Sequence, residues 1–504
     1  MSTSIQSLRE HLAQVIDLGA AMSVLHWDME TYMPPKGGEA RGKQLATLSA
    51  LSHRMLTGDT TRDLLRKLGP EIKLAPENFT EDDRKLVELA QYDFDRATKL
   101  PESLVQRLTE EESRAYHTWV KAREASDFAL FKPHLETLVG LLRQKADYLG
   151  YEDSPYDALL EDYERGMTTA QLRTIFGPLK DAQSDLVHRI QQTAGPGEMA
   201  WLDQEWDKDA QWAMTLRVLG DMGFDFDAGR QDLSVHPFTT NFDIQDVRVT
   251  TRVDPHDVFS ALTGAVHEGG HALYEQGFRL EDRRSPLGSA ISLGIHESQS
   301  RLWENIIGRS LSFWEHYLPV LREHHPGKLD DVLPEDIYRA LNRVQPSLIR
   351  VEADECTYNL HIILRFEIEV ALIEGTLAVK DVPEMWNQLV KQYLGLDVPN
   401  DAKGCLQDIH WSHGSMGYFP TYALGNLYAA QLFEAILRDV PGLWSEVGQG
   451  NFTSLLAWLR QNVHQHGRRL TATELIEKAT GAPPTSEPFL RYLSSKYTSL
   501  YNLA

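Results

Sequence analysis

Apolar residues recur three and four apart through most of the chain, the spacing of one buried helix face. The pattern predicts helices over residues 104–125, 128–149 and 172–194. The opening text MSTSIQSLREHLAQVIDLG has the same period and carries charges early. It lacks an uninterrupted apolar core with a small-residue cleavage site, so it predicts an amphipathic helix and not a secretion signal. Breaks are expected at Pro34-Pro35 with Gly37-Gly38, at Gly195-Pro196-Gly197 and at Pro483-Pro484. There is no fixed-period repeat and no long low-complexity linker. One mainly α body over 1–504 is therefore expected, with a helical half over about 1–230 and a second half over about 231–504.

One region departs from the helical period. Residues 232–253 read DLSVHPFTTNFDIQDVRVTTRV, rich in β-branched side chains and alternating near the end. Val247, Val249, Thr251 and Val253 would share one strand face, and Asp246, Arg248, Thr250 and Arg252 the other. A small sheet is expected here, with a polar face and an edge able to pair with an extended peptide through its main chain. A surface hairpin with solvated charges is the alternative.

The next helix is expected to start with Asp254 as N-cap and Pro255 in the first helical position. It carries HEGGH, residues 267–271. His267 and His271 lie one turn apart on a helix face and can bind one ion, while Glu268 projects beside them and can take a proton from water. Gly269 and Gly270 each cost about 0.8–1 kcal/mol against alanine inside a helix. A packed element or a substrate must therefore approach closely there.

A third ligand on the metzincin pattern would need Gly at 274 and His at 277, and the chain has Tyr274 and Gly277. Downstream, ISLGIHESQSRLWENIIGRS offers Glu297 as the preferred carboxylate ligand. His296 and Glu304 are alternatives, or partners that orient an imidazole. Two histidines and one glutamate leave a fourth tetrahedral position open, the arrangement of a catalytic zinc.

Two further segments hold more polar chemistry than a structural helix needs. SLIRVEADECTYNLHIILRFEIEVALIEG predicts an apolar helix crossed by Arg350, Asp354, Thr357, His361 and Arg365, either a salt-bridge ladder or a cleft wall. The segment from Gly404 to Phe433 reads as a donor-rich loop carrying Gln407, Asp408, His410, Trp411, Tyr418 and Tyr422. A tyrosine hydroxyl or an imidazolium there can stabilise a tetrahedral oxyanion, a role worth about 3 kcal/mol. Trp411 itself reads as core packing.

Composition narrows the classes. With 504 residues, 42% of them hydrophobic, the chain can bury a large core. A formal net charge of −23 argues against a nucleic-acid partner, which needs a basic footprint. No apolar stretch reaches the roughly 18 residues of a membrane span. The two cysteines, Cys356 and Cys405, do not form a disulfide framework, and a cytoplasmic location is expected.

Six motifs in order carry a resemblance. HPF at 236–238, DVRVT at 246–250, HEGGH at 267–271, HESQ at 296–299, IRVEAD at 349–354 and GCLQDIHW at 404–411 resemble the Taq-type zinc carboxypeptidases. So do HWDMETYMPPKGGEARGKQ at 26–44 and the closing YLSSKYTSLYNL. The resemblance spans essentially the whole chain. It implies a mainly helical, saddle-shaped, zincin-like fold with a deep central groove, a homodimer, and removal of single residues from peptide C-termini. It implies His267, His271 and Glu297 as ligands of zinc, with cobalt as a possible substitute, and Glu268 as base. His236, Arg248, Arg350 and Gln407 to Trp411 would surround the groove. Arginine is well suited to a terminal carboxylate, and Arg350 and then Arg248 are the candidates. Tyr422 and Gln407 are further candidates for substrate contact, and Tyr418 and His410 for catalysis. A zinc oligopeptidase that cuts internal bonds of short peptides is the nearest alternative.

Overall fold

The helical period of the sequence carries over into the structure, a computed structural model that describes residues 3–193, 195 and 199–503. Among these are twenty α-helices and three strands. The opening helix runs Thr3–Thr31, and two predicted helices run Glu102–Ala125 and Phe128–Leu149. The third spans Thr169–Gln191, started by a capping box in which Thr168 and Gln171 satisfy each other's backbone N–H. Ala194, Pro196 and Gly197, the end of that prediction and part of its loop, lie outside the described residues, as do Met1 and Ser2.

The predicted sheet forms from β1 (Gly229–Leu233), β2 (Thr239–Asp243) and β3 (Asp246–Thr251), in the order β1-β3-β2. β1 runs parallel to β3 with Gly229 opposite Val247, and β2 runs antiparallel with Thr239 opposite Val249. Val247 and Val249 are buried, and the Thr251 hydroxyl donates to the Ala261 carbonyl of the following helix at 3.0 Å. The expected polar face is only partly polar. Thr250 is buried, donating to the Phe238 carbonyl and accepting from the Phe238 N–H at 2.9 Å. Arg252 and Val253 fall beyond the strand.

The HEGGH helix runs Val258–Glu275 and starts one turn later than expected. Its N-cap is Asp257, whose carboxylate accepts from the N–H groups of Phe259 and Ser260. Asp254 instead closes a turn onto the His256 N–H at 2.9 Å, and the Pro255 carbonyl accepts from Trp206. Asp257 lies three residues beyond the expected cap, and the chain makes one extra turn before the helix begins.

The glycine pair records close packing on two sides. A Cβ on Gly269 would lie 2.6 Å from Leu219 in helix Lys208–Met222. A Cβ on Gly270 would lie 2.7 Å from the Gln299 carbonyl oxygen and from the Ser300 Cα, in helix Leu293–Arg301. That second helix continues as a π-helical segment, Leu302–Gly308. Neighbouring helices, not a substrate, require these glycines.

The predicted stripe on one helix is divided. Arg350 sits in a short 3₁₀ turn, Arg350–Glu352, and Asp354 precedes the helix, which spans Tyr358–Glu374. Asp354 accepts from the N–H groups of Gln345, Cys356 and Thr357, so it shapes the entry turn. The apolar core extends from Leu104 to Tyr501. A smaller cluster joins the first helices through Ile5, Leu8, Leu65 and Leu86 and reaches Leu287.

Helix propensity alone predicts that Gly270→Ala stabilises the protein by about 0.8–1 kcal/mol. Overpacking against rigid backbone typically costs about 1–3 kcal/mol, and here it opposes that gain. The expected outcome is net destabilisation, read as a lower denaturation midpoint; a raised midpoint contradicts the close-contact account.

Candidate active site

His267 and His271 lie on successive turns of Val258–Glu275, and Glu297 comes from the crossing helix Leu293–Arg301. Their ligand atoms lie within 4.8 Å of one another. Glu297 Oε2 is 3.4 Å from His271 Nε2 and 3.8 Å from His267 Nε2. A tetrahedral zinc with bonds near 2.0–2.2 Å requires donor separations of about 3.3 Å. Two imidazoles and one carboxylate at this spacing fit such an ion.

The alternatives for the third ligand take the orienting role. Glu304, from the π-helical segment, accepts from or shares a proton with His267 Nδ1 at 2.8 Å. His296 contacts His271 Nδ1 with one ring nitrogen and Glu275 Oε1 with the other at 2.8 Å. Asn241 of β2 donates to the second oxygen of Glu275. Each imidazole is thus backed by a carboxylate, directly for His267 and through a second imidazole for His271, which leaves both Nε2 atoms for the ion.

The charges of the site are buried and mutually balanced. Burial favours the neutral form of Glu297, but Arg301 and the two histidines outweigh it and hold this carboxyl well below its usual range. Glu304 is likewise held low against its burial by Arg301, Arg309 and His267. Burial and the neighbouring His296 push His271 down to about 3, so it is neutral. Burial also lowers His267, but Glu297 and Glu304 overcome it and the net shift is upward.

Glu268 is buried beside its histidines, and burial raises its carboxyl above the ordinary value although His267 and Thr239 oppose this. The Thr239 hydroxyl, at the start of β2, lies 2.7 Å from Glu268 Oε2 and 2.9 Å from its backbone carbonyl. The edge of the sheet therefore meets the HEGGH helix at Glu268.

The segment expected as a donor-rich loop is a loop only as far as Tyr418: helix Phe419–Asp439 carries Tyr422, because the apolar face of that helix is buried in the core, and the loop before it gathers around Arg350 and Arg365. Arg350 is 6% exposed and donates through Nε to Asp408 Oδ1 at 2.9 Å and through Nη1 to the Tyr358 hydroxyl at 3.1 Å. Arg365 donates to the other oxygen of Asp408 at 2.7 Å. Two guanidinium groups thus share one carboxylate. His410 is pushed down to about 4 by burial together with Arg350 and Arg365, with Asp408 opposing, so it is neutral at pH 7. The expected imidazolium is therefore corrected to a neutral ring, which packs 5.3 Å from Tyr418. Burial raises the hydroxyls of Tyr418 and Tyr422, and both also feel the charge of Glu297. The Tyr422 ring lies 5.3 Å from that of Tyr418 and 5.2 Å from the Arg350 guanidinium.

The remaining candidates are placed differently. Gln407 spends its side chain on backbone, accepting from the Arg350 N–H at 2.9 Å and donating to the Leu348 carbonyl at 3.0 Å. It pins the Arg350 turn to the loop. Arg248 pairs with Asp246 at 3.0 Å and lies over the rings of Trp27 and Phe242 at 4.4 and 4.6 Å. His236 is exposed in the loop between β1 and β2. Trp411 is buried and donates to Glu369 at 2.8 Å, a core role as expected. Sequence reasoning passed over Thr239, Glu275, Arg301 and Arg309. Arg301 had a readable signal, four residues after Glu297 on a helix. Thr239 had none.

A cleft of about 1120 Å³ opens between the first helix and the segment Arg283 to Leu293; Tyr163, Asn241 and Phe242 line its wall, and none of His267, Glu268, His271 and Glu297 does.

Comparison with known proteins agrees with this geometry. Residues 7–497 match the sequence profile of the family described as Carboxypeptidase Taq (M32) metallopeptidase. Thermostable carboxypeptidase 1 of Thermus thermophilus is 41% identical over 98% of both chains. Carboxypeptidase 1 of Bacillus subtilis is 39% identical over 98% of this chain and 97% of its own. The crystal structure of the M32 carboxypeptidase from Deinococcus radiodurans superposes with a TM-score of 0.95 at 39% identity, covering 99% of this chain and 100% of that one. The chain belongs to the Taq (M32) carboxypeptidase family of metallopeptidases.

Proposed function

We propose that this protein hydrolyses peptides from their C-termini, one residue at a time, as a zinc metallocarboxypeptidase in which His267, His271 and Glu297 hold the metal. The convergence of two imidazoles and one carboxylate within 4.8 Å carries this reading. Bound there, zinc acts as a Lewis acid on a carbonyl oxygen and brings the pKa of a water molecule towards about 7. Cobalt is compatible with the same nitrogen and oxygen donors.

The chain's own groups divide the remaining work. Glu268 accepts the proton of the attacking water and passes it to the leaving amine. The Thr239 hydroxyl, 2.7 Å away, fixes the carboxylate against the start of β2. Tyr418 donates to the oxygen on which charge develops. Arg350 receives the terminal carboxylate. Because Asp408 is divided between Arg350 and Arg365, this pair of arginines carries positive charge that a substrate anion balances. Arg248 has Asp246 to itself and is the weaker candidate. Tyr422 lines the approach to Arg350, and His236 lies at the exposed end of the same sheet. The edge strand β2 and the adjoining cleft suit an extended peptide.

A homodimer and a cytoplasmic location belong to the same proposal. The first rests on family membership, and the second on both cysteines being free and buried. No helix among the described residues is long and apolar enough to cross a membrane.

Three outcomes are expected. A decapeptide digested and followed by mass spectrometry gives a ladder losing one C-terminal residue per step, abolished by chelator and restored by zinc; internal fragments indicate the oligopeptidase instead. Glu268→Gln retains stoichiometric zinc and loses nearly all turnover, and a near-normal rate removes the general-base role. Arg350→Ala raises KM sharply for free-carboxylate peptides and little for their amides, while Arg365 still neutralises Asp408. Equal effects on both substrates remove the clamp.

A further inference from the structure

Arg301 is the last residue of helix Leu293–Arg301, at the junction with the π-helical segment Leu302–Gly308. Its half-buried guanidinium spans two carboxylates. Nε donates to Glu297 Oε1 at 2.7 Å, and Nη1 donates to Glu304 Oε2 at 3.3 Å. The Tyr358 ring lies 4.7 Å away and closes the other side of the group. The two oxygens of Glu297 are therefore in unlike surroundings. Oε1 faces a fixed cation, while Oε2 accepts from the Ser300 hydroxyl at 3.1 Å and faces both histidine Nε2 atoms.

Two further contacts keep this arrangement from rotating. Gly425 of helix Phe419–Asp439 packs so closely that a Cβ there would lie 2.5 Å from Glu297 Cγ and 2.7 Å from its Cβ. Arg309 donates to Glu304 Oε1 at 2.8 Å. Residues 304 and 309 are five apart, the spacing that a π-helical turn brings onto one face. Arg309 thus supplies charge to Glu304 and leaves the Nε of Arg301 committed to Glu297.

We propose that Arg301 is a positioning residue that reserves Glu297 Oε1, so that this ligand offers the metal a single oxygen and a coordination position stays free for water and substrate. The inference rests on the metal reading above and adds to it the denticity of the carboxylate. Without Arg301 the second oxygen is released to the ion, occupying the position that the reaction needs.

The test uses the full chain loaded with cobalt, whose visible absorption is several-fold stronger in four-coordinate than in five- or six-coordinate sites. Wild-type protein is expected to show the strong band, Arg301→Met a band several-fold weaker, and Arg301→Lys, which keeps a donor near Oε1, a band close to wild type. Zinc affinity of Arg301→Met falls about 10–100-fold, the usual range for loss of a group that orients a ligand. X-ray absorption of the zinc-loaded wild type is expected to report a single-oxygen carboxylate, and it decides the question if Arg301→Met does not fold. A chelating carboxylate in the wild type, or equal band intensity in wild type and Arg301→Met, overturns the inference while leaving the metal site standing. Absence of stoichiometric cobalt from the wild type overturns the metal reading, and this inference with it.

Discussion

The centre depends on how closely two helices approach at Gly270. The histidines are held by Val258–Glu275 and the carboxylate by Leu293–Arg301, so the three groups meet only where these two helices cross. At Gly270 a Cβ would collide with backbone atoms of Gln299 and Ser300, two and three residues after Glu297. A methyl group there would push the second helix outward and draw Oε2 away from both Nε2 atoms. Gly425 performs the same service on the opposite flank, against the Glu297 side chain itself. The loss of helix propensity at each glycine, about 0.8–1 kcal/mol, is small beside what the convergence makes possible.

Charge burial sets the second constraint. An ionised carboxylate out of water is very costly unless paired and hydrogen-bonded. Glu297, Glu304, Arg301, Arg309 and the two histidines meet this requirement as one network, each carboxylate facing at least one cation or imidazole. The same principle governs Arg350, Arg365 and Asp408, with a different balance. There two cations face one anion, the imbalance on which the proposed carboxylate role of Arg350 rests.

The sheet connects these features to the rest of the fold. Parallel pairing of β1 with β3 and antiparallel pairing of β2 leave β2 at the edge, where Thr239 reaches Glu268 and Asn241 reaches Glu275. Three residues of strand thus place one side chain beside the proposed base and another behind the His296–His271 pair. The HEGGH helix lies between the sheet on one side and the carboxylate helix on the other, so its orientation about its own axis is tightly determined.

The helical architecture, the short sheet and the residue types of the centre are legible in the order of residues alone. Helical spacing is local physics, and the four-residue separation of His267 and His271 already places them on one face. The glycine pair likewise announced close packing, because its propensity cost needs a compensating contact. Local rules did not reach the helix start, where Asp254 and Asp257 are equally good caps, or the divided stripe, where Arg350 precedes the helix that carries Arg365. Tertiary packing brings Glu297, and not His296 or Glu304, together with His267 and His271 in one group that can hold an ion. It also decided that Gln407 serves backbone and that Arg248 serves Asp246. All three acidic and imidazole candidates lie within eight residues, and their roles diverge because helices separated in sequence cross at one point and a π-helical turn rotates Glu304 beneath His267. Convergence of that kind is set by long-range packing, which no short stretch of residues encodes.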